Sequence, residues 1–336
     1  MNKILLPGFF CALIIAGGFY FLNLHTFPTG KYAGPVQELR LGVSKAGPQL
    51  SALIYIAQNK GYFTDNKLHV EFTIEPDSAA SRKDVATGTQ DVATTSDFGF
   101  VTDSFTPTNL RILAVISNTN LIEIIGRKDR GIITPKDLKR KKIAVTLKSY
   151  SEFFLGKFLE FNNLKLSDVT VVPTNLDKVQ DAIVSGKVDI AVTNDPFAYQ
   201  IKQALGENTV VLQPQINRNN NLLLISNEQA IKFKTEAIER FLAALLQAED
   251  FIKANPGESK QIIMKQFDLD QDFINQNWPK NTFTVRLDQS LLLEMEDEAL
   301  WVIENKLTDK TAIPRYRDYI SRDFLKKIKM AAVTAF

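Results

Sequence analysis

Hydrophobic positions along this chain switch between a period of two and a period near three and a half. Leu39, Leu41 and Val43 recur at every second residue, as in a strand with one face in a core. Ser44-Lys45-Ala46-Gly47-Pro48-Gln49 cannot extend that strand, because Gly and Pro break the ladder. From Leu50 the spacing is helical, with Leu53, Ile54, Ile56 and Ala57 on one side, and Gly61 supplies a left-handed residue to end the helix. Val70, Phe72 and Ile74 alternate again, and Val92-Ala93 begin a third, short strand. Strand–helix–strand units of this length predict a parallel sheet with right-handed crossovers. Ligands in such sheets sit beyond the carboxyl ends of the strands. Those ends are Ser44-Lys45, Asp77-Ser78 and Thr95-Ser96-Asp97, all small or polar.

The rest of the chain repeats the scheme. Strands are predicted over Arg111–Ser117, ending at Asn118-Thr119-Asn120, and over Leu121–Arg127. Thr134-Pro135-Lys136-Asp137 reads as a helix start: Thr caps, Pro suits the first turn and Asp favours the positive end. Ile143–Thr146 is a strand, Leu147–Tyr150 a loop and Ser151–Asn162 a helix; Val169–Val172 is a strand, Leu176–Ser185 a helix and Asp189–Val192 a strand. Gly88–Asp97 aligns with Gly186–Asp195 and matches at five of ten positions, Gly, Asp, Ala, Thr and Asp. In each copy Gly ends a helix, Asp braces the turn, Ala lets the strand pack closely, and Thr and Asp close the strand. Two similar α/β lobes are therefore expected. Asn221–Ile225 is a further strand, and beyond it the chain is read as mainly helical, over Thr235–Asn255, Ser259–Phe267, Leu291–Leu307 and Ile320–Ile328. These helices are expected to wrap back onto the first lobe. Lobe one is then 38–125 plus 222–336 and lobe two 126–221, with two crossing strands as hinge and a cleft between.

The first 37 residues stand apart. Ile4–Leu24 is nearly uninterrupted apolar sequence after Lys3, long enough to cross a bilayer. It reads either as a cleaved secretory signal, cut near Ala16-Gly17-Gly18, or as an uncut anchor. The apolar run Phe19–Leu22 beyond that cut favours the anchor. Phe9-Phe10 before Cys11 disfavour a lipid-modified cysteine, which needs small residues there. His25–Gln37, with two Pro and two Gly, reads as a flexible tether. Net charge is only +2, and the basic run Lys139–Lys142 suits a solvated helix end, so nucleic acid is not an expected partner. The single Cys lies in the apolar segment and the two His are His25 and His69. That composition argues against Cys–His and Ser–His catalysis and against thiolate or imidazole metal sites. An Asp97–Asp195 acid pair across the cleft is the enzyme alternative, and most such acids are caps or turn residues. No catalytic residue, metal or cofactor is predicted.

Specific motifs carry a resemblance. Ala57…Lys60-Gly61-Tyr62-Phe63 is followed by Leu68-His69-Val70-Glu71, and then by Gly88-x-x-Asp91-Val92-Ala93. In order and spacing these resemble the substrate-binding proteins of ABC importers, in the NMT1/THI5-like group that captures nitrate, alkanesulfonates, taurine and thiamine-precursor pyrimidines. The likeness runs from about Leu39 to the C-terminus. It implies an α/β, two-lobed periplasmic-binding-protein fold of type II, each lobe a sheet flanked by helices and joined by two crossing strands. It implies a protein outside the cytoplasm that binds a small molecule for an ABC permease and its ATPase; a monomer is expected, and the apolar length of residues 4–24 is what would hold it at the inner membrane. The rival is an extracytoplasmic sensing protein that presents its ligand to a separate receptor.

In the family the matching loops hold the ligand, and they carry over as a set. Lobe one offers Ser44, Lys45, Gln49, Asp77, Ser78, Ser96, Asp97, Asn118 and Thr119. Lobe two offers Thr146, Lys148, Ser149, Tyr150, Ser151, Asn194 and Asp195. Ser149–Ser151 open a helix, where free amides favour an anionic group, although Ser149 equally suits a cap. Tyr150 is the candidate for stacking. Phe98, Phe153 and Phe197 either line an apolar pocket or, as helical spacing favours, belong to the core. Lys45 and Lys148 suit an anion, whereas Asp77, Asp97, Glu152 and Asp195 suit an amine. A zwitterion or a ring with one acidic group satisfies both, which points to a small organic ligand, sulfonate-like or pyrimidine-like, over bare nitrate.

Overall fold

The computed structural model describes residues 32–45, 48–120, 122–212 and 220–334. The expected anchor, residues 4–24, lies outside them. Among the described residues no helix is long and apolar enough to cross a membrane.

The first lobe begins with β1 (Gln37–Ser44), α1 (Ala52–Asn59), α2 (Tyr62–Asp65), β2 (Leu68–Glu75), α3 (Ser78–Thr87), β3 (Val92–Ser96), α4 (Asp97–Asp103) and β4 (Leu110–Thr119). The second lobe follows with β5 (Glu123–Arg127), β6 (Lys142–Val145), α5 (Tyr150–Phe161), β7 (Thr170–Pro173), α6 (Val179–Val184), β8 (Ile190–Thr193), α7 (Phe197–Leu205) and β9 (Thr209–Leu212). The chain then returns through β10 (Asn220–Asn227), α8 (Glu228–Phe233), α9 (Thr235–Ala254), α10 (Pro256–Phe267), α11 (Gln271–Asn277), β11 (Asn281–Arg286), α12 (Gln289–Glu304) and α13 (Arg322–Ile328).

Two sheets result, ordered β11-β4-β10-β3-β1-β2 and β7-β6-β8-β5-β9. Each has the same centre: β1 lies parallel to β2 and β3, and β6 lies parallel to β7 and β8. Each receives one antiparallel strand beside the third member of that centre, β10 on β3 and β5 on β8. The inner strands are apolar on both faces, as strands covered by helices on both sides must be, and this holds for the antiparallel pair β4 and β10 too: Ile112–Ile116 and Leu223–Ile225 are fully buried.

Four features depart from expectation. The strand at 123–127 pairs wholly within the second sheet, so residues 123–125 lie there and not with the first lobe. Between the helices after β10, β11 completes the first sheet. Thr134–Asp137 opens only one 3-10 turn, Pro135–Leu138, although the capping box forms, with Asp137 accepting the Thr134 amide at 2.7 Å. The end of the expected tether is pinned: Arg240 of α9, fully buried, donates to the carbonyls of Ala33 at 3.3 Å and Pro35 at 3.0 Å.

The repeat is visible as shared hydrogen bonding. Gly88 and Gly186 both have left-handed φ, 79° and 77°. Asp91 donates its amide to the Arg40 carbonyl and accepts the Arg40 amide on its carboxylate. Asp189 does the same with Lys142. In each lobe one Asp thereby locks the turn before the third strand to the start of the first.

Candidate functional site

A cavity of about 280 Å³ lies between the lobes, at the carboxyl ends of the parallel strands. From lobe one it is lined by Leu50, Asp77, Ser78, Ala79 and Ser96, and where the chain returns by Asn220 and Leu222. From lobe two come Ile122, residues 146–151, residues 173–176 and Asn194. A larger open groove, about 750 Å³, is lined by residues 104–108, Arg111 and residues 309–315 of lobe one, and holds none of the strand-end residues.

Local structure explains how the polar groups reach the cavity. Asp77 caps α3: its carboxylate accepts the amides of Ala79 and Ala80, each at 2.9 Å. That bond holds the β2–α3 turn with Ser78 on the cavity wall. Ser96 caps α4 through the Gly99 amide at 3.1 Å. In lobe two, Lys148 has φ 54°. A non-glycine residue there is strained, and such conformers persist only where the surroundings impose them. Here the Lys148 amide is tied to the Glu152 carboxylate at 2.6 Å, while the Ser149 hydroxyl donates to the Thr146 carbonyl at 2.6 Å. Ser149 therefore stands at the helix start without capping it by its side chain. Burial pushes the Glu152 carboxyl above its ordinary range, against the Lys148 amide bond and charge. Thr146 donates to the Thr174 carbonyl at 3.0 Å, joining the ends of β6 and β7.

Nine of the sixteen residues singled out from sequence line this cavity: Asp77, Ser78, Ser96, Thr146, Lys148, Ser149, Tyr150, Ser151 and Asn194. The other seven lie outside its lining. Ser44 is buried in the sheet with its amide on Thr94, and Lys45 points to solvent. Gln49 is buried and its side-chain amide reaches the Asp195 carbonyl at 3.5 Å. Asn118 and Thr119 are consumed by pairing, opposite Asn221 and Asn220 of β10 and opposite Thr282 and Asn281 of β11.

Asp97 is fully buried behind the wall. Its carboxylate accepts the Phe98 amide at 2.8 Å and both the backbone and side-chain amides of Asn221, at 3.1 and 2.7 Å. Burial raises it to about 6, against those bonds. Asp195 accepts the Tyr199 amide at 2.8 Å and is raised chiefly by burial, then by Glu123. Neither carboxylate borders the cavity, so no acid pair faces a ligand there. Phe98 and Phe153 are core, 0% and 1% exposed, and Phe197 packs against a second buried cluster.

Sequence reasoning missed the loop Pro173-Thr174-Asn175-Leu176 and the return residues Asn220 and Leu222. The loop follows β7 as Asp77-Ser78 follow β2, so the repeat itself held the signal. Among the described residues no cluster of His, Cys, Asp and Glu is arranged to hold a metal.

Two α/β lobes about a cavity at their strand ends define the periplasmic-binding-protein fold. The NMT1/THI5-like family model matches residues 50–259, more than half of the chain, and the chain belongs to that family. A Haemophilus influenzae protein named for thiamine biosynthesis is 27% identical over 218 residues, 62% of this chain and 67% of that protein. The alkanesulfonate-binding protein SsuA of Xanthomonas axonopodis pv. citri, solved with MOPS, superposes with TM-score 0.72 at 16% identity, over 86% of this chain and all of that one. The desulfurization enzyme DSZB superposes with TM-score 0.62 at 14% identity, over 88% of this chain and 99% of its own. At these identities the two structures show shared fold only.

Proposed function

We propose that this chain is an extracytoplasmic solute-binding protein that closes its lobes on a small organic molecule and delivers it to an ABC permease and its ATPase. The observation that carries the reading is the cavity of about 280 Å³ with walls from both lobes, which suits a ligand larger than nitrate. Its lining combines apolar walls, Leu50, Ile122, Leu176, Leu222 and Tyr150, with the amides of Asn175, Asn194 and Asn220. Apolar walls for the faces of a ring, with amides and hydroxyls beside them for its edge, suit a flat heterocycle. The ligand is accordingly a pyrimidine-like heteroaromatic. A sulfonate is the second reading, favoured by Lys148, the one cation among the lining residues. The chain binds and does not transform its ligand, acts as a monomer, and is held at the membrane by residues 4–24.

A thermal-shift panel tests this, with 4-amino-5-hydroxymethyl-2-methylpyrimidine, MOPS, taurine and nitrate. A cognate ligand at a hundred times its Kd adds roughly 2.7 kcal/mol of stability. It should also be recovered unchanged after long incubation. No shift with the pyrimidine, or its conversion to product, defeats the reading. N-terminal sequencing of membrane-associated protein should begin at or next to Met1; a start near Phe19 or Lys31 defeats the anchor.

A further inference from the structure

The lobes touch through contacts of two kinds. In the first, Trp301 of α12, a lobe-one helix, is 1% exposed and shares a buried cluster with α5 of lobe two. Its ring meets Phe153 edge-on at 5.3 Å, and Phe98 at 5.8 Å. Its indole N–H donates to Glu160 at 3.0 Å. The face it rests on is Gly156: a Cβ there would overlap Trp301 Cζ2 and lie 2.6 Å from Cε2. Contacts of the second kind are smaller. The Gln49 amide reaches the Asp195 carbonyl at 3.5 Å, and half-buried Tyr199 of α7 meets Phe273 of α11 edge-on at 5.7 Å, its hydroxyl reaching Asp270 at 3.4 Å in an exposed setting.

We infer that Trp301 is a positioning residue for the cavity: seated on Gly156, it fixes α5 and is the pivot about which the lobes turn. The inference rests on the interlobe cavity being the binding site, and its ligand-free measurements do not need that reading. Packed aromatic contacts hold discrete arrangements and do not deform continuously. The half-buried Tyr199 contact and the long Gln49 bond yield before the fully buried Trp301 seat. The first turn of α5 carries Tyr150 and Ser151 on the cavity wall, and Gly156 lies about 9 Å along the helix axis from Tyr150, at 1.5 Å per residue. A change in how Trp301 seats thereby swings the cavity wall. The Phe153 ring, 5.7 Å from the Tyr150 ring, completes the connection.

The test uses the full chain. Trp278→Phe leaves Trp301 as the sole indole, since the chain has two. In that variant Trp301 should resist acrylamide quenching without ligand, and 4-amino-5-hydroxymethyl-2-methylpyrimidine should not change this. An indole readily quenched in the ligand-free protein overturns the pivot. Gly156→Ala should enlarge the ligand-free scattering radius, because the added methyl unseats Trp301, and weaken binding of that pyrimidine about tenfold or more. Adding Trp301→Phe to Gly156→Ala should restore both. A merely structural tryptophan predicts a lower melting temperature with scattering and affinity unchanged in the folded protein, and that result defeats the inference. If Gly156→Ala does not fold, the quenching result decides. If the pyrimidine does not bind the parent, the proposed ligand fails while quenching and scattering still judge the pivot.

Discussion

Asp97 shows what a buried residue contributes and what it does not. Its position after a strand end suggested a ligand contact; instead it holds Asn221, whose chain neighbours Asn220 and Leu222 are on the cavity wall. Asn221 is saturated, donating to Asp97 and Glu294 and accepting from Arg286 at 3.0 Å. Arg286 thus reaches the amide and also pairs with Asp288. Burial outweighs the bonds from Asn221 and Phe98 and lifts the Asp97 carboxyl to about 6. A folded-state pKa above the unfolded 3.8 means that the native state binds the extra proton between those values. Its contribution to stability is full below pH 3.8 and is lost as pH rises through 6, about 3 kcal/mol at 1.36 kcal/mol per unit. Asp97→Asn should flatten that part of the urea-unfolding profile; an unchanged slope between pH 4 and 6 counts against the assignment. Lys148 is the opposite case, legible from sequence and on the cavity wall. Lys148→Glu should weaken a sulfonate by tenfold or more, about 1.4 kcal/mol, and a neutral pyrimidine less. Calorimetry with MOPS and the pyrimidine separates the two; equal losses would show that Lys148 does not meet ligand charge.

At the scale of elements, the helix–strand turns were readable because single residues determine them. Gly88 and Gly186 need a left-handed conformation, and Asp91 and Asp189 each close a two-bond exchange with the neighbouring strand. The equivalence fades further along: Thr95 accepts from Arg82 at 3.0 Å, whereas Asp97 and Asp195 take unrelated partners. Which strand ends border the cavity depends on pairing that no local pattern reports. Asn118 and Thr119 end a strand, yet that strand is flanked on both sides to its last residue. β11 was passed over because Phe283 and Val285 alternate for only six residues between helices. Asp91→Ala should cost about 1 kcal/mol or more by removing the acceptor of the partly buried Arg40 amide. It should cost more than Asp189→Ala, because Arg40 also donates to Asp91, at 2.6 Å. Chemical denaturation of both variants checks the order, and equal costs would mean the Arg40 pair adds nothing.

The whole molecule is more tightly joined than two lobes on a hinge suggest. Relative motion is the default for lobes with a small polar interface. Here the buried cluster of lobe two contains Phe98, Trp301 and Val302 from lobe one, so one lobe's core is finished by the other's side chains. The sequence reading reaches Trp301 only as part of the helix over Leu291–Leu307; its crossing to the other lobe is a property of the assembled fold. Glu160 adds to the joint by accepting from the indole N–H at 3.0 Å. Removing the indole leaves a cavity in lobe two's core and costs about 3–5 kcal/mol. The parent should therefore unfold in one calorimetric transition, with calorimetric and van't Hoff enthalpies equal. Trp301→Ala should separate lobe two as an earlier transition, because most of lobe one's own cluster does not touch the site of the change. Two transitions in the parent, or a single undivided one in Trp301→Ala lowered as a whole, would show that the lobes are coupled through the crossing strands and not through this joint.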